Sequence, residues 1–193
     1  MLVPSAVVGL VLGLSQILGV AASPVQNGTS SDPSFDNSRI INYHDKLLLS
    51  RIDKYFVAFT TGDYDAMNEM EADDFHITDI PLAIVRSPKA AWYQQNKGFS
   101  SLMTDVRVQA ISIAGSSAPD SFAAMENVIW FTLAVDPPEA AKPGLPPGIK
   151  KGDTSGMIMM SVIWWNEEGK IYRELEYGRL LYPDFDIDAY KVW

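Results

Sequence analysis

The sequence predicts an α+β fold: helices first, then a meander of long antiparallel strands curved over them, with the helices packed on one face. Three observations carry this. Residues 45–61 repeat apolar side chains at intervals of three and four, which is the helical period. Residues 122–135 and 154–165 are long runs of aliphatic, β-branched and aromatic residues, as expected of buried strands. No internal repeat and no second domain interrupts the run from the helices to the strands.

The elements follow in order. Asp45 to Thr61 reads as a helix with Leu48, Ile52, Tyr55, Phe56 and Phe59 on one face. Gly62 ends it in the manner of a C-cap. Asp63 caps a second helix that turns Ala66, Met67 and Met70 inward. An acidic stop follows, and Phe75 to Asp79 is a short extended piece. Pro88 stands at the first turn of a third helix running through Ala91, Trp92 and Tyr93 to about Lys97. Val106 to Ala114 alternates loosely. Phe122 to Val135 is the first long apolar strand. Thr154 to Trp165 is nearly all apolar, as in a strand covered on both faces. Asn166 to Gly169 is a turn, and Ile171 to Tyr182 is the last strand. A strongly curved sheet wrapped over helices leaves a cavity, a common site for small ligands.

Both ends lie outside this pattern. Residues 2–22 carry no charge, and Val20-Ala21-Ala22 has the small-residue spacing of a signal peptidase site. Residues 1–22 are therefore expected to be a signal peptide that directs the chain to the secretory pathway. An uncleaved anchor is the rival, because about 20 apolar residues can span a bilayer. Pro4, Ser15, Gln16 and the glycines count against it. After cleavage no stable membrane span is expected. Residues 23–44 read as a flexible tail, Ser-, Asp-, Asn- and Pro-rich over 23–38. Asn27-Gly28-Thr29 on that tail is a glycosylation sequon. The folded domain is placed at 45–182, with a C-terminal tail at 183–193.

Composition excludes several classes. The chain has no cysteine, so it has neither disulfides nor thiolate chemistry. About 150 residues remain for folding, enough for a substantial core, and 47% of the chain is hydrophobic. A net charge of −9 lacks the basic footprint that nucleic acid requires. His44 and His76 are far apart and give no metal-binding signature, so no metal is expected. Asp136 to Asp153 contains five prolines and three glycines, which exclude regular structure. It reads as a long hairpin loop, either a lid or a tolerated surface insertion.

Residues 51–81 carry a resemblance. Tyr55 with Gly62-Asp63 is similar to a Tyr-x6-Gly-Asp pattern of ketosteroid isomerase, and Asp74 with Asp79 to its Asp-Asp followed by a catalytic aspartate. The segment resembles the opening of the nuclear transport factor 2-like superfamily, which includes the SnoaL-like cyclases and scytalone dehydratase. The resemblance implies a cone-shaped, curved antiparallel sheet around one pocket. It implies Asp79 as the proton-moving base and Tyr55 as donor to a developing oxyanion. The isomerase's protonated aspartate falls on Ser161, a weaker donor, which argues against steroid isomerisation itself.

The last strand resembles that of limonene epoxide hydrolase. Its carboxylate falls on Glu176, with Glu174 beside it, and Asn127 stands at that family's arginine. Ile129 replaces the second carboxylate, so the epoxide triad is broken. Strand alternation puts Tyr172, Glu174 and Glu176 on one face. Glu176 is the reserve acid. Asn127, Ser161, Trp92, Phe131, Tyr172 and Glu174 are expected to bind substrate.

Each residue also has a structural reading: Tyr55 as a core tyrosine, Asp79 as a turn residue before Pro81, the two glutamates as solvated outer-face groups. The resemblance implies a cofactor-independent isomerase, cyclase or dehydratase acting on a small hydrophobic polyketide or terpenoid, and pairing of two copies through the sheet. A non-catalytic secreted carrier or interaction protein of the same fold is the alternative.

Overall fold

The computed structural model describes residues 34–139 and 147–180. The leader at 1–22, the Asn27 sequon, residues 23–33 of the tail and the 183–193 tail lie outside these residues.

Helix α1 spans Lys46–Thr61. Asp45 caps it, its carboxylate accepting the Leu48 amide at 2.9 Å. This satisfies one of the free N–H groups that every helix start carries. Gly62 closes the helix in the left-handed region, at φ 74°. Helix α2, Tyr64–Met70, is capped by Asp63 through the Ala66 amide at 3.1 Å. Helix α3 spans Lys89–Leu102, past the Lys97 limit expected, because Phe99 continues its packed face against Trp92. Pro88 is the residue before that helix rather than in its first turn.

Seven strands form one sheet. They are β1 (Phe35–Asp36), β2 (Glu71–Asp79), β3 (Ile84–Pro88), β4 (Met103–Gly115), β5 (Phe122–Leu133), β6 (Thr154–Trp165) and β7 (Ile171–Leu180). Their order is β1-β4-β5-β6-β7-β2-β3. The meander β4 to β7 is antiparallel as expected, but the sheet as a whole is mixed. β1 lies parallel to β4, and β2 lies parallel to β7. The chain reaches β7 from β2 only after β3, α3 and the strands β4 to β6, a crossover long enough for the parallel pairing. Ladder irregularities interrupt β4 twice, between Thr104 and Arg107 and between Ala110 and Ser112, and β2 between Ile77 and Asp79. Bulges of this kind bend strands and curl the sheet around the helices.

The core sits between the helices and the concave face. Leu48, Ile52, Ile77 and Ile163 are no more than 1% exposed, each stabilising by about 1.5–3 kcal/mol relative to exposure. Part of the segment read as flexible tail belongs to this core. Phe35 and Ile40 are buried, Phe35 stacks on Phe56 at 5.5 Å, and Asn37 Nδ2 donates to Asp53 Oδ1 at 3.0 Å. Two apolar residues spaced along a polar stretch are enough to fasten it to a ready hydrophobic face. At Gly178 a Cβ would stand 2.3 Å from the Ile158 carbonyl oxygen, so β7 and β6 approach there only without a side chain. No helix among the described residues is long and apolar enough to cross a membrane.

Candidate active site

Sheet register assembles the site. Asp79 on β2 is level with Glu176 on β7, which is level with Ser161 on β6, which is level with Met125 on β5. One row away, Ile77, Glu174, Ile163 and Ala123 are level in the same way. Rows separated by two residues face the same side of a sheet. Asp79, Glu174 and Glu176 therefore share the concave face, over which α1 lays Tyr55. All three carboxyl groups and Tyr55 line a cavity of ≈ 90 Å³. A single water needs about 10–15 Å³ of such space, so the cavity has room for more than one solvent molecule. Its other walls are apolar, among them Phe56, Phe59, Trp92, Phe99 and Phe131.

Two hydrogen-bonded groups divide the floor. In the first, Asn127 Nδ2 donates to Ser161 Oγ at 3.2 Å, and Ser161 Oγ donates to Glu176 Oε1 at 2.9 Å. Glu176 in turn shares a hydrogen bond with Asp79. Asp79 Oδ1 also accepts the Leu82 amide at 2.9 Å. In the second, the Tyr55 hydroxyl donates to Glu174 Oε2 at 2.8 Å, with Glu71 Oε1 at 3.4 Å. Lys89 Nζ donates to the Glu71 backbone carbonyl at 2.8 Å.

Burial dominates the acidities. Charging a carboxyl group out of water is unfavourable, so its pKa rises. Burial lifts Asp79 from 3.8 to about 6, although the Leu82 amide and the Glu176 hydrogen bond pull it back. Burial lifts Glu174 from 4.5 to about 7, against the Tyr55 hydrogen bond and with the Asp79 charge. Glu71 rises to about 8 through burial and the nearby Glu174 charge, with Lys89 opposing. Glu176 goes well above the ordinary glutamate value, driven by burial and then by the Glu174 and Asp79 charges. In the first group Asp79, held back by the Leu82 amide, is the readier to ionise, and Glu176, pushed up by burial and by its charged neighbours, is the readier to hold a proton. This pairs a proton acceptor with a proton donor.

No protein-family model and no curated protein matches the sequence. Solved structures do. One is a candidate SnoaL-like polyketide cyclase from Shewanella denitrificans OS-217, with 8% identity, TM-score 0.55 and coverage of 69% of this chain and 90% of that one. Another is an epoxide hydrolase/cyclase-like enzyme of pyran ring formation in the polyether salinomycin, with 18% identity, TM-score 0.50 and coverage of 67% and 88%. A third is a ketosteroid isomerase-like protein from Catenulispora acidiphila solved with trimethylamine, with 13% identity, TM-score 0.50 and coverage of 66% and 83%. The fold is nuclear transport factor 2-like. The cavity described above is the interior of that cone.

Within this nuclear transport factor 2-like cone, Tyr55, Asp79, Glu174, Glu176, Trp92 and Phe131 all reach the cavity wall. Asn127 and Ser161 do not. Both are fully buried behind Glu176 and act on it rather than on the cavity. Tyr172 is half-buried and is not a cavity wall either. It lies next to the irregularity that separates Trp164 from Trp165 and to the shift between Glu71 and His76, where simple alternation stops. Tyr55 also differs from expectation: its proton goes to Glu174, not toward a substrate oxygen.

Glu71 was missed. It is 1% exposed and bonded to Tyr55, yet the sequence hides it at the head of the acidic run Glu71-Ala72-Asp73-Asp74. Alternation back from Asp79 through Ile77 and Phe75 fails at the exposed Asp73, so no periodic signal points to Glu71. None of the described residues of the 136–153 loop lines the cavity. Among the described residues no group of three or more His, Cys, Asp or Glu is arranged to hold a metal ion.

Proposed function

We propose that the cone is a cofactor-independent acid/base site that isomerises, cyclises or dehydrates a small hydrophobic metabolite of polyketide or terpenoid type. The observation that supports this most is the Asp79–Glu176 pair at the wall of an apolar cavity. Asp79 takes a proton from the substrate, and Glu176 gives one to a neighbouring atom. The two carboxyl groups end with exchanged protonation, and their shared hydrogen bond returns the proton from Asp79 to Glu176. In a dehydration the Glu176 proton leaves with the hydroxyl group as water. Ser161 and Asn127 hold Glu176 in place. Tyr55 acts through Glu174, fixing that carboxyl group against the cavity.

Single-turnover rates and ligand binding for Asp79→Asn and Tyr55→Phe beside wild type test the reading. Asp79→Asn keeps the shape but cannot take a proton, so its rate falls while affinity holds. Wild-type rates in both variants reject the catalytic assignment. Binding without turnover in the wild type favours the carrier. Secretion is part of the proposal and rests on the uncharged run 2–22 with Val20-Ala21-Ala22. N-terminal sequencing of secreted protein is expected to begin near Ser23, and Met1 retained on a membrane-bound form overturns it.

A further inference from the structure

The cavity that carries the acid/base pair is one-sided in charge. Asp79, Glu174 and Glu176 line it, and no Lys, Arg or His does so among the described residues. Lys89, whose charge acts on Glu71, is already engaged: its Nζ donates to the Glu71 carbonyl and lies 4.0 Å from Asp73. Three carboxyl groups thus face a space that no Lys, Arg or His among the described residues lines. A buried carboxylate without a partner is strongly unfavourable, so burial favours the protonated form. A ligand that brings a positive charge stabilises the ionised form.

The rest of the wall suits the same ligand. Phe56, Phe59, Trp92, Phe99 and Phe131 surround the carboxyl groups, and the faces of aromatic rings attract cations, most strongly out of water. Among the described residues no group of three or more His, Cys, Asp or Glu is arranged to hold a metal ion, and the cation at issue is molecular.

We infer that the substrate or ligand of this cavity is a small hydrophobic amine, its ammonium group seated on Asp79, Glu174 and Glu176. The inference rests on reading the cavity as the active site, and it narrows the substrate to skeletons carrying a basic nitrogen. When a protonated amine enters, a carboxyl group that was neutral gives up its proton to solvent, so the bound state is an ammonium–carboxylate pair. The raised pKa values of Asp79 and Glu174, about 6 and about 7, make this release largest at pH below them.

The test compares two ring ketones of one shape. Tropinone carries a basic nitrogen, and bicyclo[3.2.1]octan-3-one does not. Titration calorimetry on the wild-type protein at pH 5 and pH 7.5, in buffers of different ionisation enthalpy, gives affinity and protons released. At pH 7.5 tropinone is expected to bind at least about tenfold more tightly than the nitrogen-free ketone; at pH 5 the ratio shrinks and binding of tropinone releases protons. In Glu174→Gln the ratio at pH 7.5 falls toward one. Equal affinities, tighter binding of the nitrogen-free ketone, or no binding of either overturns the inference. The acid/base reading fails separately, when Asp79→Asn leaves turnover of a substrate unchanged, whatever the affinity ratio.

Discussion

At the start of α1 the Asp45 carboxylate accepts the Leu48 amide at 2.9 Å; at the end of β2 the Asp79 carboxylate accepts the Leu82 amide at the same distance. The local motif is one and the same, a carboxylate bonded to an N–H three residues on. The acidities move in opposite directions. Asp45 falls below 3.8, chiefly through the Leu48 amide, helped by Ser117. Asp79 rises to about 6. Asp45 keeps contact with solvent and Asp79 is 2% exposed. A hydrogen bond to the charged form is worth less than the loss of water around it. The same side chain thus serves as a helix cap in one place and as a base poised near neutrality in the other.

The sharpest way to break this contrast is to neutralise each aspartate. Asp79→Asn is expected to lower single-turnover rate by about 10²–10⁴-fold, the usual contribution of a positioned base. Asp45→Asn is expected to leave the rate unchanged. Equal effects in the two variants would show that burial at Asp79 has no catalytic use.

The next effect is on stability against pH. Glu71, Glu174 and Asp79 have folded pKa values raised to about 8, about 7 and about 6. Between their ordinary values and these the folded protein holds protons that the unfolded chain has lost. Stability is therefore full below about pH 4 and falls as pH rises toward 8. Glu71→Gln removes the Glu71 part of this. Its melting temperature is expected to exceed wild type at pH 9 and to match it at pH 5. Thermal unfolding at both values decides, and a variant less stable at pH 9 rejects the assignment.

Ser161→Ala sharpens the account of Glu176. It removes the donor that favours the charged carboxylate, so the Glu176 pKa rises further and the alkaline limb of the pH–rate profile moves up. The accompanying loss of stability is about 1–3 kcal/mol by urea unfolding. The smallest change is at the solvated end. Asp45→Ala is expected to destabilise by about 0.5–2 kcal/mol. Because its folded pKa is depressed, that stabilisation is present above pH 3.8 and disappears as pH falls through the folded value. Urea unfolding at pH 7 and pH 3 measures it.

The parts of this contrast legible in the sequence are the local ones. Asp45, Gly62 and Asp63 announce helix ends because capping needs only neighbours in the chain. The length of β6 shows in a nearly continuous apolar run, and that of β5 in one broken only at Glu126-Asn127. Alternation along β7 brings Glu174 and Glu176 to one face, as register then confirms. What requires distant partners stays hidden. Which oxygen receives the Tyr55 proton depends on how α1 sits over β7. The parallel pairing of β2 with β7, and β3 with its single strongly buried aliphatic residue Ile84, leave no periodic trace. Tyr172 shows the limit of alternation next to a bulge, and Glu71 shows how an acidic run masks one buried member.

The strap at residues 34–44 has a bearing on how the chain can be trimmed. Phe35 supplies the ring on which Phe56 rests, and Phe56 is itself a wall of the cavity. Any processing that ends before Ser34 leaves this stack whole. A cut within the strap releases Phe35 and loosens a cavity wall without touching Asp79, Glu174 or Glu176. Proteolysis at a surface segment would then act as a switch on ligand affinity, read first as weaker binding and only later as unfolding.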